Sequence, residues 1–221
     1  WNWGAAEVKH FVGGGVSYTL FHDGEELGAV ELSVSGEHNV LNSLAAYAAC
    51  HEMGIAHDDI VKGLKIFSGA KRRLQKTGEV GDILIYDDYG HHPNEISATL
   101  NTVRNIFPER RIVAIFQPHR FSRTAALYKE FADALSLADR AFILPIYGSD
   151  EMPMEGVSSK LIFDAASDDM RSHYELSGNF DDLITSVCKA ARSGDVILTV
   201  GAGSVGTLGK KIVEKLTEMQ A

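Results

Sequence analysis

The sequence predicts an α/β fold built on a mainly parallel sheet, and two observations support this prediction. From about residue 73 onward, short apolar runs alternate with segments in which apolar residues recur at helical spacing. Polar residues, glycine or proline bound these runs, as expected of buried parallel strands connected by helical crossovers. The chain before residue 68 follows a different pattern, which indicates a separate and smaller region.

The first 34 residues have the character of β structure. Val16–Phe21 is rich in β-branched and aromatic side chains, residues 22–26 are turn-forming, and residues 27–34 alternate between apolar and polar. This arrangement predicts a hairpin. The three glycines at 13–15 predict a loop and not a phosphate cradle, because no Lys-Ser or Lys-Thr pair follows them.

Two helices are predicted to follow the hairpin. Asn39–Met53 carries apolar side chains on one face, with Gly54 where a C-cap belongs, and a second helix is expected over residues 58–67. Residues 68–71, Ser-Gly-Ala-Lys, interrupt the helical pattern. We therefore expect a domain boundary there.

The α/β region is predicted to contain four strands and four helices. The strands are expected at Ile83–Tyr86, Ile112–Phe116, Arg140–Ile146 and Val196–Val200. The helices are expected from Pro93 with the apolar stripe Ile96, Leu100 and Val103, over Thr124–Leu137, over Phe180–Ala191, and at the end of the chain around Leu208, Ile212 and Leu216.

The composition is that of an ordinary globular protein, and it restricts the range of partners. With a formal net charge of −9 over 221 residues, the chain has no overall positive field for nucleic acid, and it has no apolar run of membrane length. Cys50 and Cys188 lie far apart in apolar helical patterns, which favours buried free thiols and a reducing, cytoplasmic location. The start of the sequence has neither a signal peptide nor an initiator Met, so we expect a processed product or part of a longer protein.

Polar residues cluster directly after three of the predicted strands, where ligands bind in parallel sheets. The clusters occupy residues 87–93, 117–124 and 201–206. Because each cluster joins a strand to a helix at the same edge of the predicted sheet, we expect all three to line one crevice.

The first cluster holds two Asp, a Tyr and two His within seven residues. A carboxylate such as Asp88 at a strand end can accept hydrogen bonds from ribose hydroxyls, and His91 and His92 are potential metal ligands or proton carriers. The alternative is that Asp88 caps the following helix and that the histidines are solvated. The density of reactive side chains favours a functional site.

The second cluster is cationic and contains His119, Arg120 and Arg123. Guanidinium groups bind carboxylates or phosphates bidentately, and a helix that starts at Arg123 attracts anions as well. The alternatives are a solvated basic face or ion pairs with acidic neighbours. In an acidic chain, cations concentrated at a strand end favour an anion site.

The third cluster has Gly201, Gly203 and Gly206 in the spacing Gly-x-Gly-x-x-Gly, between a strand and a helix. Alone, this spacing suggests a dinucleotide site, but no later strand carries the acid that binds ribose. Glycines that let helix and strand pack closely are the favoured explanation.

Two further positions are ambiguous from the residues alone. Asn39 and Asn42 are one helical turn apart, so their amides can face the same spot and pair with the edge of adenine, although Asn39 is equally suited to an N-cap. Arg73, which follows Arg72 just past the boundary, is either a functional cation or an ordinary linker charge.

Taken in order, these motifs resemble those of the Mur ligases. Gly-x-His-Asn-x-x-Asn at 36–42, an Arg after the boundary, and Asp-Asp-Tyr-x-His-x-Pro at 87–93 are similar to the family pattern. The last motif, with Phe-Gln-Pro-His-Arg at 116–120 and Ser-Arg-Thr at 122–124, resembles the member that joins L-alanine to UDP-N-acetylmuramate. The likeness runs over nearly the whole chain.

The resemblance implies that residues 1–70 are the end of the family's central ATPase domain and that residues 71–221 are its Rossmann-like C-terminal domain, with a hinge at 68–73. It further implies an ATP-dependent ligase of peptidoglycan precursor synthesis that uses Mg²⁺. In such a ligase ATP phosphorylates the muramate carboxylate, and the amine of L-alanine attacks the acyl phosphate to give an amide and phosphate. UDP-N-acetylmuramate and L-alanine are the implied substrates.

The resemblance also assigns roles to individual residues. On the adenosine side of ATP it places Asn39, Asn42, Arg73, Asp88 and Tyr89. At the end of the site that receives L-alanine it places His91, His119, Arg120 and Arg123. These cations are implied to hold the alanine carboxylate and to stabilise negative charge in the transition state.

The sequence also departs from the family pattern. Ser35 stands where a Pro is common and Leu74 where a Phe is common, which indicates changes of packing. No Gly-x-x-Gly-Lys-Thr/Ser loop, metal ligands or UDP-binding domain of the family have a match, so we expect these 221 residues alone to be inactive and Mg²⁺ to be held upstream. The alternatives are a murein-peptide-recycling ligase, a stand-alone dinucleotide-binding protein and a non-catalytic interaction module.

Overall fold

The computed structural model describes residues 2–220, and the chain divides into two units. The first unit comprises the residues up to Ala70 together with Thr102–Pro108. The second comprises Lys71–Asn101 together with the residues from Glu109 onward.

The first unit contains a three-stranded antiparallel sheet. Its strands, in spatial order, are β1 (Trp3–His10), β2 (Val16–His22) and β3 (Glu25–Leu32). The predicted hairpin is confirmed, because β2 and β3 pair from Val16 opposite Leu32 to the turn at Asp23 and Gly24. The pattern before Gly13 was too irregular to predict β1, which carries a register shift after Ala6.

Both predicted helices of this unit are present, as α1 (Glu37–Glu52) and α2 (His57–Ile66). The C-cap residue is Met53, and the glycine predicted to end the helix follows it: Gly54 has a φ of 79°, and its N–H donates to the His51 carbonyl at 2.9 Å while the Ile55 N–H donates to the Cys50 carbonyl at 3.1 Å. A buried core joins the sheet to the helices, and it consists of Val16, Tyr18, Leu20, Val30, Leu32, Val40, Tyr47 and Ile60.

The second unit is built on a six-stranded sheet, and the predicted α/β class is confirmed. The strands are β4 (Gln75–Val80), β5 (Ile83–Asp88), β6 (Arg111–Phe116), β7 (Arg140–Ile143), β8 (Tyr174–Leu176) and β9 (Asp195–Val200). Their spatial order is β4-β5-β9-β6-β7-β8, with β4 antiparallel and all other neighbours parallel.

The helices that follow β5 occur in the predicted order. They are α3 (Pro93–Ile106), α4 (Phe121–Leu135), α5 (Lys160–Ala165), α6 (Asp168–Arg171), α7 (Phe180–Ala190) and α8 (Leu208–Gln220). The short helices α5 and α6 were not predicted, because one or two turns give too little periodicity to detect. Among residues 2–220, none of the helices has the length and apolar character needed to cross a membrane.

Two predicted boundaries in the second unit were wrong by three residues. Strand β7 ends at Ile143 and not at Ile146, since Pro145 has no N–H to continue a ladder. Helix α4 begins at Phe121, three residues before the predicted start at Thr124, so Arg123 lies within its first turn.

Strand β9 is buried at all six positions and forms the centre of the second unit. One face of the sheet packs against α7 and α8, where Val187 and Ile212 belong to the same buried cluster as Ile197 of β9. On the other face Phe116 contacts Phe131 of α4, with ring centroids 5.2 Å apart. Complete burial of each such side chain contributes about 1.5–3 kcal/mol.

Both cysteines are free thiols, as the sequence predicts. Cys188 is buried in the core between sheet and helices, and burial raises the pKa of its thiol. Cys50 is half-buried on α1. Neither sulfur forms a disulfide.

The position of β9 brings the three polar clusters together. In the sheet register Val200 at the end of β9 lies beside both Asp88 of β5 and Phe116 of β6. The loops that follow these three strands therefore leave the sheet side by side, which confirms the expectation that they share one edge.

Candidate functional site

A buried ion pair connects the loops at the ends of β5 and β9. The Asp87 carboxylate accepts a hydrogen bond from Arg72 Nε at 2.8 Å and another from Thr199 Oγ1 at 2.6 Å. Arg72 also donates from Nη2 to the Gly201 carbonyl at 2.6 Å. Because the Asp87 side chain is only 3% exposed, Arg72 is the charged partner that offsets the cost of burying the carboxylate.

Asp88, the next residue, organises the loop backbone. Its side chain is buried, and its two oxygens accept the Gly90 N–H at 2.7 Å and the Leu74 N–H at 2.8 Å. The alternative that Asp88 caps the following helix is therefore wrong. The Tyr89 ring is 40% exposed and lies under the Arg72 guanidinium, whose Cζ is 5.0 Å from the ring centroid.

The start of α3 is capped by Glu95. Its carboxylate accepts the N–H groups of His91 at 2.9 Å and His92 at 3.1 Å. Partial burial alone would raise the pKa of Glu95, but these two N–H donors, the His91 ring and Arg73 outweigh burial and hold the pKa below its usual value. Arg73 itself is exposed.

Four rings lie in sequence along this edge of the sheet. His91 lies between Tyr89 and His119, with ring centroids 5.4 and 5.8 Å away. The His119 ring in turn lies nearly parallel to Tyr147, at 5.8 Å and an interplanar angle of 18°. Arg123 Nη1 is 3.5 Å from His119 Nδ1, so the first and second clusters meet at the two histidines.

The charge of His119 is set by these neighbours. Burial lowers its pKa from the usual 6.5, and three basic side chains lower it further: Arg123, His91 and Arg120. Glu151 acts in the opposite direction. His119 is therefore mainly uncharged at neutral pH and can accept or donate a hydrogen bond.

The two arginines of the second cluster lie at the start of α4. Arg120 is the N-cap residue, with a φ of 74°, and its N–H donates to the Tyr147 carbonyl at 2.9 Å. Within residues 2–220, neither Arg120 nor Arg123 has a carboxylate at ion-pair distance, which excludes the alternative of structural ion pairs there. Two unpaired guanidinium groups at a helix N-terminus form a suitable site for a carboxylate.

The glycine cluster after β9 is filled by protein atoms. A Cβ at Gly203 would lie 2.5 Å from Gln117 Oε1, and one at Gly201 would lie 2.7 Å from the Gln117 carbonyl oxygen. A Cβ at Gly206 would lie 2.6 Å from Arg72 Cζ. These contacts support a packing role for the three glycines, with Gln117 and Arg72 as the approaching residues, and they weigh against a dinucleotide site in this loop.

Asn39 and Asn42 belong to the first unit, whereas the seven other predicted residues belong to the second. Asn39 is the third residue of α1, and its Nδ2 donates to the Ser35 carbonyl at 2.8 Å. The N-cap is Gly36, so the N-cap interpretation of Asn39 was wrong. Asn42 is exposed one turn later, and its side-chain amide makes no hydrogen bond within the described part of the chain.

Sequence reasoning missed three residues that shape the site. Arg72, and not Arg73, forms the network with Asp87, and the adjacent pair of arginines gave no means of choosing between them. Tyr147 and Glu151 follow β7 and reach the same edge because β7 is the neighbour of β6. To predict that Tyr147 and Glu151 lie at the site, one must know the order of the strands in the sheet. The alternation of strands and helices along the sequence does not give that order.

Comparison with known proteins gives relatives for most of the chain. Residues 72–203 match the sequence model of the family described as Mur ligase, glutamate ligase domain. A UDP-N-acetylmuramate–L-alanine ligase of Nitratidesulfovibrio vulgaris (strain DP4) is 41% identical over 196 residues, which are 89% of this chain and 43% of that protein. The ligase of the same name from Syntrophus aciditrophicus is 40% identical over 215 residues, 97% of this chain and 45% of that protein.

Two solved structures have the same fold. The crystal structure of UDP-N-acetylmuramate-alanine ligase from Thermotoga maritima has a TM-score of 0.83 and 26% identity, and the match covers 98% of this chain and 46% of that one. A murein peptide ligase from Psychrobacter arcticus has a TM-score of 0.68 and 26% identity, with 97% and 44% covered. The chain thus spans less than half the length of these relatives. Since the family model matches more than half of its residues, the chain belongs to the Mur ligase family.

Proposed function

We propose that this chain supplies the amino-acid-receiving end and the adenosine side of the active site in an ATP-dependent ligase that joins L-alanine to UDP-N-acetylmuramate. The observation that carries the proposal is the pair of unpaired guanidinium groups, Arg120 and Arg123, beside the uncharged His119. The curated relatives named for this reaction, at 40–41% identity, support the same assignment.

The proposed chemistry is amide formation through an acyl phosphate. ATP transfers its γ-phosphoryl group to the muramate carboxylate, and the amine nitrogen of L-alanine attacks the acyl carbon. The tetrahedral intermediate expels phosphate, and the attacking nitrogen loses its proton to leave the amide. Arg120 and Arg123 hold the alanine carboxylate through all steps of the reaction, so that only the amine is free to react.

The two histidines complete the amino-acid end. His91 and His119 lie edge to face, and His119 contacts Arg123, so all three side chains border the same volume. We propose that they orient L-alanine and that the positive groups stabilise the negative charge of the intermediate. Nothing in the geometry singles out a general base.

The adenosine side of ATP is assigned to five residues. Asn42 has a free side-chain amide for the adenine edge, while Asn39 uses one N–H of Nδ2 on the Ser35 carbonyl and retains its other N–H and its oxygen. Tyr89 offers an exposed ring, and Arg73 an exposed cation. Both oxygens of Asp88 already accept one backbone N–H, so ribose hydroxyls would use their remaining lone pairs.

Several properties of the complete enzyme belong to this proposal. Residues 1–70 correspond to the end of the central ATPase domain and residues 71–221 to the C-terminal domain. The enzyme works in the cytoplasm, in peptidoglycan synthesis and hence in cell wall biogenesis, cell shape and cell division. Among residues 2–220, no three His, Cys, Asp or Glu side chains are arranged to hold a metal, and we propose that the ligands of Mg²⁺ lie outside these 221 residues.

The experiment is steady-state kinetics of the ligase that contains this chain, with Arg120→Ala and Arg123→Ala. Each substitution removes a charged hydrogen-bond donor, so we expect KM for L-alanine to rise about tenfold or more, with KM for ATP unchanged within about twofold. Arg192→Ala is the matched control, because Arg192 is an exposed arginine that precedes β9, at the opposite end of the strand. Equal effects on both substrates, or none on L-alanine, would contradict the proposal.

A second candidate is a ligase that recycles murein peptides. The Psychrobacter arcticus structure favours it, because its identity to this chain equals that of the Thermotoga maritima ligase. The lower TM-score of 0.68, against 0.83, places it second. Competition between L-alanine and a murein peptide as the amine substrate separates the two candidates.

A further inference from the structure

The two arginines of the amino-acid end lie at the start of helix α4. The residue at the N-cap position of this helix does not provide a capping hydrogen bond. Arg120 occupies the N-cap position, and its side chain makes no capping hydrogen bond. The capping group comes instead from Glu151, in the connection that follows β7. Its carboxylate accepts the Ser122 N–H at 2.9 Å and the Ser122 hydroxyl at 2.5 Å.

The backbone around Glu151 is tied to the same loop. Tyr147 donates its N–H to the Pro118 carbonyl at 2.8 Å and accepts the Arg120 N–H at 2.9 Å. A turn then returns the chain, since the Glu151 N–H donates to the Gly148 carbonyl at 3.0 Å. The segment from Tyr147 to Glu151 is thus hydrogen-bonded to the chain from Pro118 to the first turn of α4.

Glu151 is the acidic member of an otherwise basic group. The side chains that act on His119 are Arg123, His91 and Arg120, which lower its pKa, and Glu151, which raises it. The hydrogen bonds from Ser122 hold the pKa of Glu151 below its usual value, so the carboxylate is ionised at neutral pH. Within residues 2–220 it forms no ion pair with an arginine, because its two oxygens face Ser122.

We propose that Glu151 is a positioning residue, which fixes the first turn of α4 so that Arg120 and Arg123 are held ready for the carboxylate of the amino-acid substrate. The carboxylate lies close enough to order the helix start and leaves both guanidinium groups free. This inference rests on the proposed function of the arginines. It predicts that substitution of Glu151 weakens binding of the amino acid, although Glu151 does not contact the amino acid.

The first test is the kinetics of Glu151→Ala, Glu151→Gln and Ser122→Ala in the active ligase. Loss of the cap in Glu151→Ala is expected to raise KM for L-alanine about tenfold, while KM for ATP changes by less than about twofold. Glu151→Gln, which keeps one oxygen acceptor, should lie between wild type and Glu151→Ala. Ser122→Ala keeps its N–H bond and should raise KM for L-alanine by no more than about twofold.

The matched control is Glu175→Gln, which removes a partly exposed carboxylate that pairs with Arg140 on β7. It should leave KM for L-alanine unchanged. An unchanged KM for L-alanine in both Glu151 variants of a working ligase would overturn the positioning role. If the unmodified ligase itself does not consume L-alanine, it is the proposed function that fails.

The second test uses the 221-residue chain and does not depend on turnover. The His119 pKa is followed by NMR titration of its ring protons. Because the negative charge of Glu151 favours the protonated ring, Glu151→Gln should lower the His119 pKa, whereas Ser122→Ala and Glu175→Gln should not. A His119 pKa that is the same in Glu151→Gln and in the wild type would show that Glu151 does not lie beside the basic group at the start of α4, which would contradict the positioning role.

Discussion

At the residue scale, the arginines of the second unit differ in whether an acidic side chain neutralises them. Arg72 pairs with the buried Asp87, and Arg111 makes a bidentate pair with Asp195, at 2.9 and 2.7 Å. Such pairs are structural, because both charges are already satisfied. Arg120 and Arg123 lack acidic partners in the described residues, and this difference supports the proposal that they bind a substrate carboxylate.

The structural role of Arg72 leads to a prediction for stability. Arg72→Ala leaves the Asp87 carboxylate buried with only the Thr199 hydroxyl, so we expect a loss of about 2–3 kcal/mol in the free energy of unfolding. Arg73→Ala, at the exposed neighbour, should cost less than about 0.5 kcal/mol. Urea unfolding of the two variants measures both values. Similar losses for the two variants would show that Arg72 does not stabilise the loops as described.

At the scale of elements, the sequence predicted those strands that are buried along almost their whole length. The strands β5, β6 and β9 are continuous apolar runs and were placed within one or two residues. Strands β4 and β8 were missed because they lie at the two edges of the sheet, where side chains are mostly polar or exposed. The insertion of β9 between β5 and β6 depends on long-range pairing that a local pattern does not record.

The same limit applies to the candidate site. The residues of the first and second clusters, such as His91 and Arg123, were predicted because each cluster directly follows an apolar run. Arg72 and Glu151 were missed as structural partners, because their hydrogen bonds join segments 15 and 29 residues apart. Arg72 is structural because it contacts the buried Asp87, and Glu151 because it contacts Ser122 at the start of α4. These contacts are known only once the fold is known.

The glycine loop after β9 provides a prediction at this scale. A Cβ at Gly203 would lie 2.8 Å from Tyr147 Cγ as well as near Gln117, so Gly203→Ala should destabilise the second unit by about 1–3 kcal/mol. Gly178→Ala is the control, because a Cβ there meets nothing within 4 Å. Thermal unfolding of both variants checks the difference. A Gly203→Ala variant as stable as Gly178→Ala would mean that the loop has room for a ligand after all.

At the scale of the whole molecule, the chain is a Mur ligase segment with two units, and we propose an anion-binding edge in the second. The alternation of strands and helices predicted the α/β class, and the order of motifs predicted the family. The identity of the amine substrate depends on the proposed roles of His91, His119, Arg120 and Arg123. It is therefore the point on which the account as a whole can fail.

The most direct test is to measure which amine the ligase containing this chain joins to UDP-N-acetylmuramate. The enzyme is supplied with ATP, Mg²⁺ and either L-alanine or a murein peptide, and the products are identified by mass spectrometry. We predict ATP-dependent formation of UDP-N-acetylmuramoyl-L-alanine, no product with the peptide, and no product from the 221 residues alone. Product formation with the peptide in place of L-alanine, or turnover by the 221-residue chain alone, would contradict the account.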